Sequence, residues 1–271
     1  MPATPLQPSR LAEDLPAQHV PRLPVVVVAS NSGGTGKTAL AVPIAERLAW
    51  AGLRVLMMTC SPQEDARYRL GVTFSEGPIA RRDYGAGLVV LVGLRPAKAI
   101  DILYGSGPEP LGMGSFDIAV LDTPAAVQSG SLPGVLLVAP MDGADAARNL
   151  VTMLSRTPGN SSIVLVRLER EAPDDWTQNV AVLEEVLQRS LDYYPDPLVK
   201  SKPVKEAHDA GRSVWTLPRT GRNTLAFLSA VETLAKIAWG RVYPDRPWPA
   251  PPPGAGGPYV PGWEDDDELG C

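Results

Sequence analysis

Val25-Val-Val-Val-Ala-Ser-Asn-Ser-Gly-Gly-Thr-Gly-Lys-Thr38 is the stretch that decides how the chain folds. Val25 to Ala29 have the unbroken, mostly β-branched character of a strand buried on both faces. A turn with three glycines follows, and Lys37-Thr38 opens a helical pattern. Strand, glycine-rich loop and helix are the context of a phosphate-binding loop. Glycines let the backbone curl so that successive N–H groups converge on phosphate oxygens. The helix N-terminus adds partial positive charge. Ser32, Gly33, Gly34, Thr35, Gly36, Lys37, Thr38 and Ala39 are the expected cradle. Lys37 would neutralise the β- and γ-phosphates, and Thr38 would ligate Mg²⁺. Asn31 replaces the first glycine of the common pattern, but the Gly36-Lys37-Thr38 ending is complete. The residues read as a nucleoside-triphosphate site.

A second stretch supports it. In Phe116-Asp-Ile-Ala-Val-Leu-Asp122-Thr-Pro124 an apolar strand ends in an acid. A carboxylate at that place reaches the Mg²⁺ shell in phosphate-loop proteins. An acid closing a strand is common in any α/β protein, so the weight comes from the pair. Lys37 and Asp122 are the expected catalytic residues, and Thr38 and Asp122 the metal-binding pair.

By its length the chain fits one α/β domain with appendages, or at most two small domains. It has 271 residues, 44% hydrophobic and 20% charged, which suits a soluble globular protein. No apolar run is long enough for a membrane span, and no signal peptide opens it. Two cysteines, Cys60 and Cys271, make no disulfide framework or metal spacing. The simplest location is the cytosol. The net charge of −5 is uneven: residues 241–271 carry two arginines against six acids.

Residues 1–23 hold five prolines and read as a disordered leader. A helix is expected over 37–51, with Leu40, Ile44, Leu48 and Ala51 on one face and Gly52 capping it. Pro43 inside it should remove a hydrogen bond or cause a kink. Strands are expected at Val55–Met58, Leu88–Val92, Gly134–Ala139 and Ile163–Val166, with a weaker one near Leu198. Helices are expected at Ala97–Tyr104, Ala144–Leu154, Asp174–Arg189 and Asn223–Trp239. In the third of these Val180, Leu183, Val186 and Leu187 share a side. This alternation implies a mostly parallel, twisted sheet with helices on both faces, here a P-loop NTPase fold over residues 24–240. Residues 241–271 contain eight prolines and then Glu264-Asp-Asp-Asp-Glu268, so a disordered, proline-rich acidic tail is expected.

Residues 24–240 resemble the ParA/MinD family of deviant-Walker ATPases. Gly33-Gly34-Thr35-Gly36-Lys37-Thr38 is similar to the family's phosphate loop, Pro62-Gln63 to the loop after its second strand, and Asp122-Thr123-Pro124 to its acid motif. Val204-Lys-Glu206-Ala207-His-Asp-Ala-Gly211-Arg-Ser-Val214 is similar to its late nucleotide-proximal segment, in the form of the ParA branch. The resemblance implies ATP and Mg²⁺ binding, a homodimer formed on ATP, non-specific DNA binding, and partner-stimulated hydrolysis. A cargo adaptor would let the protein partition or position a plasmid, chromosome origin or protein compartment over the nucleoid. Relatives that use a membrane do so through a C-terminal amphipathic helix, and the acidic, proline-rich tail is no such helix. DNA binding would rest on Lys200, Lys202, Lys205, Arg212, Arg219 and Arg222, diluted by Glu206 and Asp209.

Two departures from the family pattern bear on mechanism. Its signature lysine should precede Gly33, where this chain has Ser32, too short and neutral to bridge two subunits. Arg148 is a candidate replacement charge. The family's Asp-x-Asp-Pro-Gln reads Thr59-Cys60-Ser61-Pro62-Gln63 here. Threonine and serine are poor bases, and Glu64 or Asp65 would be displaced by register, so hydrolysis is expected to be slow or absent. Three readings stay open: a ParA-type positioning ATPase, a hydrolysis-deficient nucleotide-binding scaffold recruiting partners through its tails, and a small-molecule enzyme such as a ligase. The third needs further acids or bases, and the two histidines, His19 and His208, offer little.

Overall fold

A computed structural model describes residues 21–30, 34–60, 69, 80–84, 87–105, 115–123, 132–155, 157, 159–168 and 173–250. The strands are β1 (Val25–Val28), β2 (Val55–Thr59), β3 (Ala80–Tyr84), β4 (Leu88–Val92), β5 (Ile118–Asp122), β6 (Leu136–Met141), β7 (Ser162–Leu168) and β8 (Asp192–Leu198). The helices are α1 (Lys37–Trp50), α2 (Pro96–Tyr104), α3 (Gly143–Leu154), α4 (Pro173–Leu187), α5 (Lys202–Asp209) and α6 (Arg222–Val242), with a short 3₁₀ turn at Val214–Thr216. The eight strands form one sheet in the order β3-β4-β2-β5-β1-β6-β7-β8. Every pairing is parallel except β3 with β4.

The valine run explains why β1 sits centrally. Val26 and Val28 pack on one face with α1 and α6. Val25 and Val27 pack on the other with α2, α3 and α4. All four side chains are fully buried, each worth roughly 1.5–3 kcal/mol. β1 is flanked by β5 and β6. The chain moves outward one way through β2 and β4 and later the other way through β6 and β7. Its carboxyl end is therefore the switch point where open α/β sheets bind ligands.

α1 is buried all round from Leu40 to Ala49. It ends at Trp50, with Ala51 half-buried as its cap instead of on the apolar face. Gly52 is the left-handed residue one step later, at φ +97°, where helices favour glycine. Pro43 remains inside the helix, and its carbonyl accepts a 2.9 Å hydrogen bond from Trp215 Nε1. β6 continues two residues beyond the expected Ala139, through Pro140 to Met141, and the next helix opens at Gly143, one residue before the expected start. Val186 on α4 is 53% exposed, so it leaves the apolar side expected of it. The edge strand β3 was hidden by its charges, while β8, expected only weakly near Leu198, runs over Asp192–Leu198 despite two prolines.

The boundaries drawn from composition differ from the packing at both ends. Leu23 is buried, and Arg22 N–H donates to Leu103 O at 2.9 Å, so residues 21–23 join the domain. At the other end α6 runs to Val242 and residues 243–250 fold back on it. Trp239 Nε1 donates to Arg246 O at 3.3 Å, and Trp248 lies edge-on to Trp239 at 5.7 Å. Prolines set these residues apart by composition, but Trp248 supplies the apolar anchor that a proline count conceals. Residues 1–20 and 251–271 lie outside the described residues. Among the described residues no helix is long and apolar enough to cross a membrane.

Candidate functional site

The phosphate-loop residues gather where β1, β2 and β5 end. Gly34 and Gly36 have φ of +69° and +77°, left-handed values that strain any residue with a Cβ. Gly36 immediately precedes α1, whose first-turn N–H groups have no carbonyl acceptors within the helix and suit an anion. The Thr38 hydroxyl donates to Asp122 Oδ2 at 2.8 Å, across 84 residues of sequence. Lys37 Nζ donates to Thr35 Oγ1 at 3.4 Å. Thr123 secures the turn after β5, its N–H and hydroxyl donating to Val28 O at 3.4 and 3.1 Å. The two stretches singled out in the sequence thus meet.

The electrostatics suit a polyanion. Burial holds the Lys37 amine below the ordinary lysine pKa, and the Asp122 charge opposes that shift. A phosphate beside Lys37 would restore the stabilisation that burial removes. Asp122 is fully buried, and a hydroxyl with a carboxylate is a hard oxygen pair that fits Mg²⁺. Among the described residues no group of three or more His, Cys, Asp or Glu could hold a metal alone. A cation here would therefore complete its shell with phosphate and water oxygens, the usual arrangement for Mg²⁺.

Other expected residues are placed as follows. Ser32 and Gly33, together with Ser61 to Asp65 and Pro124, lie outside the described residues. Ala39 is half-buried in the first turn of α1. Arg148 on α3 is exposed and pairs with Asp145 at 3.0 Å, which gives it an ordinary surface partner. Lys200, Lys202, Lys205, Arg212, Arg219 and Arg222 are all exposed. Lys202 lies 3.6 Å from Glu206, and Lys205 pairs with Asp209, so two of the six already have acidic partners. His208, which offered little in the sequence, is buried against Phe227, with Nδ1 2.5 Å from Arg69 Nη1. Burial and the Arg69 charge push it down to about 3. Burial, with the Asp122 charge adding to it, pushes the Cys60 thiol up to about 12, so it is no nucleophile at neutral pH.

The sequence reading missed Glu46 and Arg47. The signal was present, since a helix apolar on every side must bury any charge within it. Ser213 Oγ donates to Glu46 Oε2 at 2.8 Å. Burial pushes the Glu46 carboxyl up to about 8, with the Ser213 hydrogen bond opposing. Arg47 makes a bidentate pair with Glu232 at 2.6 and 2.7 Å and donates to Pro249 O at 2.9 Å. Its guanidinium lies 4.2 Å from the Trp248 ring centroid, and Trp248 Nε1 donates to Glu232 Oε1 at 2.7 Å.

Fold and loop together define a P-loop NTPase. The chain belongs to the CobQ/CobB/MinD/ParA nucleotide-binding domain family, whose pattern matches residues 26–234. Similar folds among solved structures include apo McdA from Cyanothece, with a TM-score of 0.59 and 16% identity over 81% of this chain and 100% of that one. A Cyanothece McdA variant complexed with ATP gives 0.58 and 17%, over 80% and 96%. MinD of Pyrococcus horikoshii complexed with Mg-ADP gives 0.53 and 16%, over 80% and 97%. Identities this low speak for the fold alone. No curated protein matches in sequence.

Proposed function

We propose that this protein is a ParA-type positioning protein. It binds ATP with Mg²⁺, dimerises in that state, binds DNA non-specifically, and moves a cargo with the help of an adaptor. The observation that carries the reading is the 2.8 Å bond between Thr38 Oγ1 and Asp122 Oδ2 beside a desolvated Lys37. Lys37 holds the phosphates, Thr38 and Asp122 hold the metal, and the loop backbone orients the polyphosphate. Bound Mg²⁺ would neutralise charge developing on the phosphates. The ATPase domain, expected over residues 24–240, takes in residues 21–23 and the 243–250 segment packed on α6, with the rest of the leader and tail as appendages. The exposed basic residues between Lys200 and Arg222 supply phosphate contacts that fix no base sequence. Activity on DNA places the protein in the cytoplasm at the nucleoid.

One observation favours a second reading, a nucleotide-binding scaffold with little turnover. The residue closing β2 beside Asp122 is Thr59, a weak base where the family has a carboxylate. Calorimetry with Mg-ATP tests the shared part: the expected result is saturable heat that Lys37→Ala removes, with dimer in sedimentation. No heat and monomer throughout would sink both readings. Phosphate release then separates them, since robust turnover on DNA and adaptor selects the positioning ATPase and its absence selects the scaffold.

A further inference from the structure

Thr59 ends β2, and its Cα partner across the sheet is Asp122. Side chains alternate along each strand. Val55 and Met57 pack on the face that holds α1, as do Ile118 and Val120 of β5. Thr59 and Asp122 continue those two rows, so both side chains stand on the α1 face, on strands about 4.8 Å apart. Thr38, at the start of α1, already donates to Asp122 there. Thr59 is 1% exposed, and its hydroxyl has no hydrogen-bond partner among the described residues.

A hydroxyl withdrawn from water without a partner forfeits its hydration. The rest of its row is valine and methionine, so packing alone would be served equally well by valine, which has threonine's shape and no polar atom. The neighbouring acid and hydroxyl are the groups expected to bring water and phosphate oxygens to this spot. We propose that Thr59 is a positioning residue of the nucleotide site, its hydroxyl donating to an oxygen of the hydrated metal–phosphate group held by Thr38 and Asp122. This inference rests on the nucleotide-binding reading above. It assigns the hydroxyl a role in binding, acting through the metal's water or a phosphate oxygen, and needs no proton abstraction by threonine.

The test compares wild type, Thr59→Val and Thr59→Ser with a fluorescent ATP analogue, titrated in excess Mg²⁺ and again in EDTA. Thr59→Val is expected to lose five- to tenfold in affinity with Mg²⁺ and less than twofold in EDTA. Thr59→Ser, which keeps the hydroxyl, should stay within twofold of wild type in both. Thr59→Ala is read in the same way if the valine variant does not fold. An unchanged Mg²⁺ affinity in Thr59→Val, or an equal loss in EDTA, overturns the inference. Binding that Lys37→Ala removes but Thr59→Val leaves intact overturns it while the nucleotide site stands. Absence of binding by wild type overturns both.

Discussion

At the start of α1, Lys37 and Thr38 are half-buried and face the ends of β1 and β5, their polar groups gathered by a loop with two left-handed glycines. Nine residues further along the same helix, Glu46 and Arg47 are 3% and 1% exposed and held from both sides. Ser213 engages the acid, while Glu232, Trp248 and Pro249 engage the base. The first end has ionisable groups arranged for something that arrives. The second has ionisable groups whose partners are already part of the chain. Perturbed titration alone does not distinguish them, since Lys37 and Glu46 are both shifted mainly by burial. The difference lies in what surrounds the charge: at the second end partners within the chain grip it, while at the first the groups line a glycine turn shaped for an anion.

Mutations at the two ends should therefore separate binding from stability. The largest effect expected is at the first end: Lys37→Ala should weaken Mg-ATP binding at least a hundredfold, about 3 kcal/mol or more, while its melting temperature stays near wild type. Calorimetry and thermal melts on one preparation check both halves. At the second end Arg47→Ala strands Glu232 and strips a ring contact from Trp248, and should destabilise by about 2–3 kcal/mol, partial exposure of Glu232 lowering the usual figure for a broken buried pair. Urea unfolding measures it, and nucleotide affinity should not follow. A loss of affinity as large as that of Lys37→Ala would erase the contrast between the ends.

Glu46 sharpens the same contrast through pH. Its folded carboxyl is pushed up to about 8 from an ordinary value near 4.5. Between those values the native chain keeps a proton that the unfolded chain has released, so stability falls as pH rises through that window and levels off above it. The slope contributed approaches about 1.4 kcal/mol per pH unit. Glu46→Gln should flatten it, as read from urea midpoints between pH 5 and 8; an unchanged slope would mean that Glu46 is ionised in the fold. The smallest effect concerns charges that are exposed. Arg219→Ala with Arg222→Ala should weaken DNA binding about tenfold and lower the logarithmic salt slope by about 2, with stability unaffected; gel shifts across a salt series show it.

The central sheet was legible because Val25–Val28, Val55–Met58, Leu88–Val92 and Ile118–Leu121 are apolar runs that only a doubly covered sheet can bury. The Thr38–Asp122 contact was legible because each residue lies in a stretch with its own chemical logic. β3, with the sequence Ala-Arg-Arg-Asp-Tyr, was not, because an edge strand paired on one side needs no apolar row. β8 carries Pro195 and Pro197, which edges tolerate. Partners of Glu46 and Arg47 lie 167 and 185 residues away. A helical wheel could show that these charges are buried, but not what they meet. The anchoring of Trp248 was masked for a different reason: averaging over a proline-rich segment hid a single aromatic side chain.

Pro43 stands between the two ends of α1. Proline has no amide hydrogen, so the Ala39 carbonyl, one turn earlier, has no rung of the helical ladder to accept. The Pro43 carbonyl is meanwhile tied sideways to Trp215. The turn carrying Lys37 and Thr38 is thus joined to the clamped remainder by one fewer vertical link.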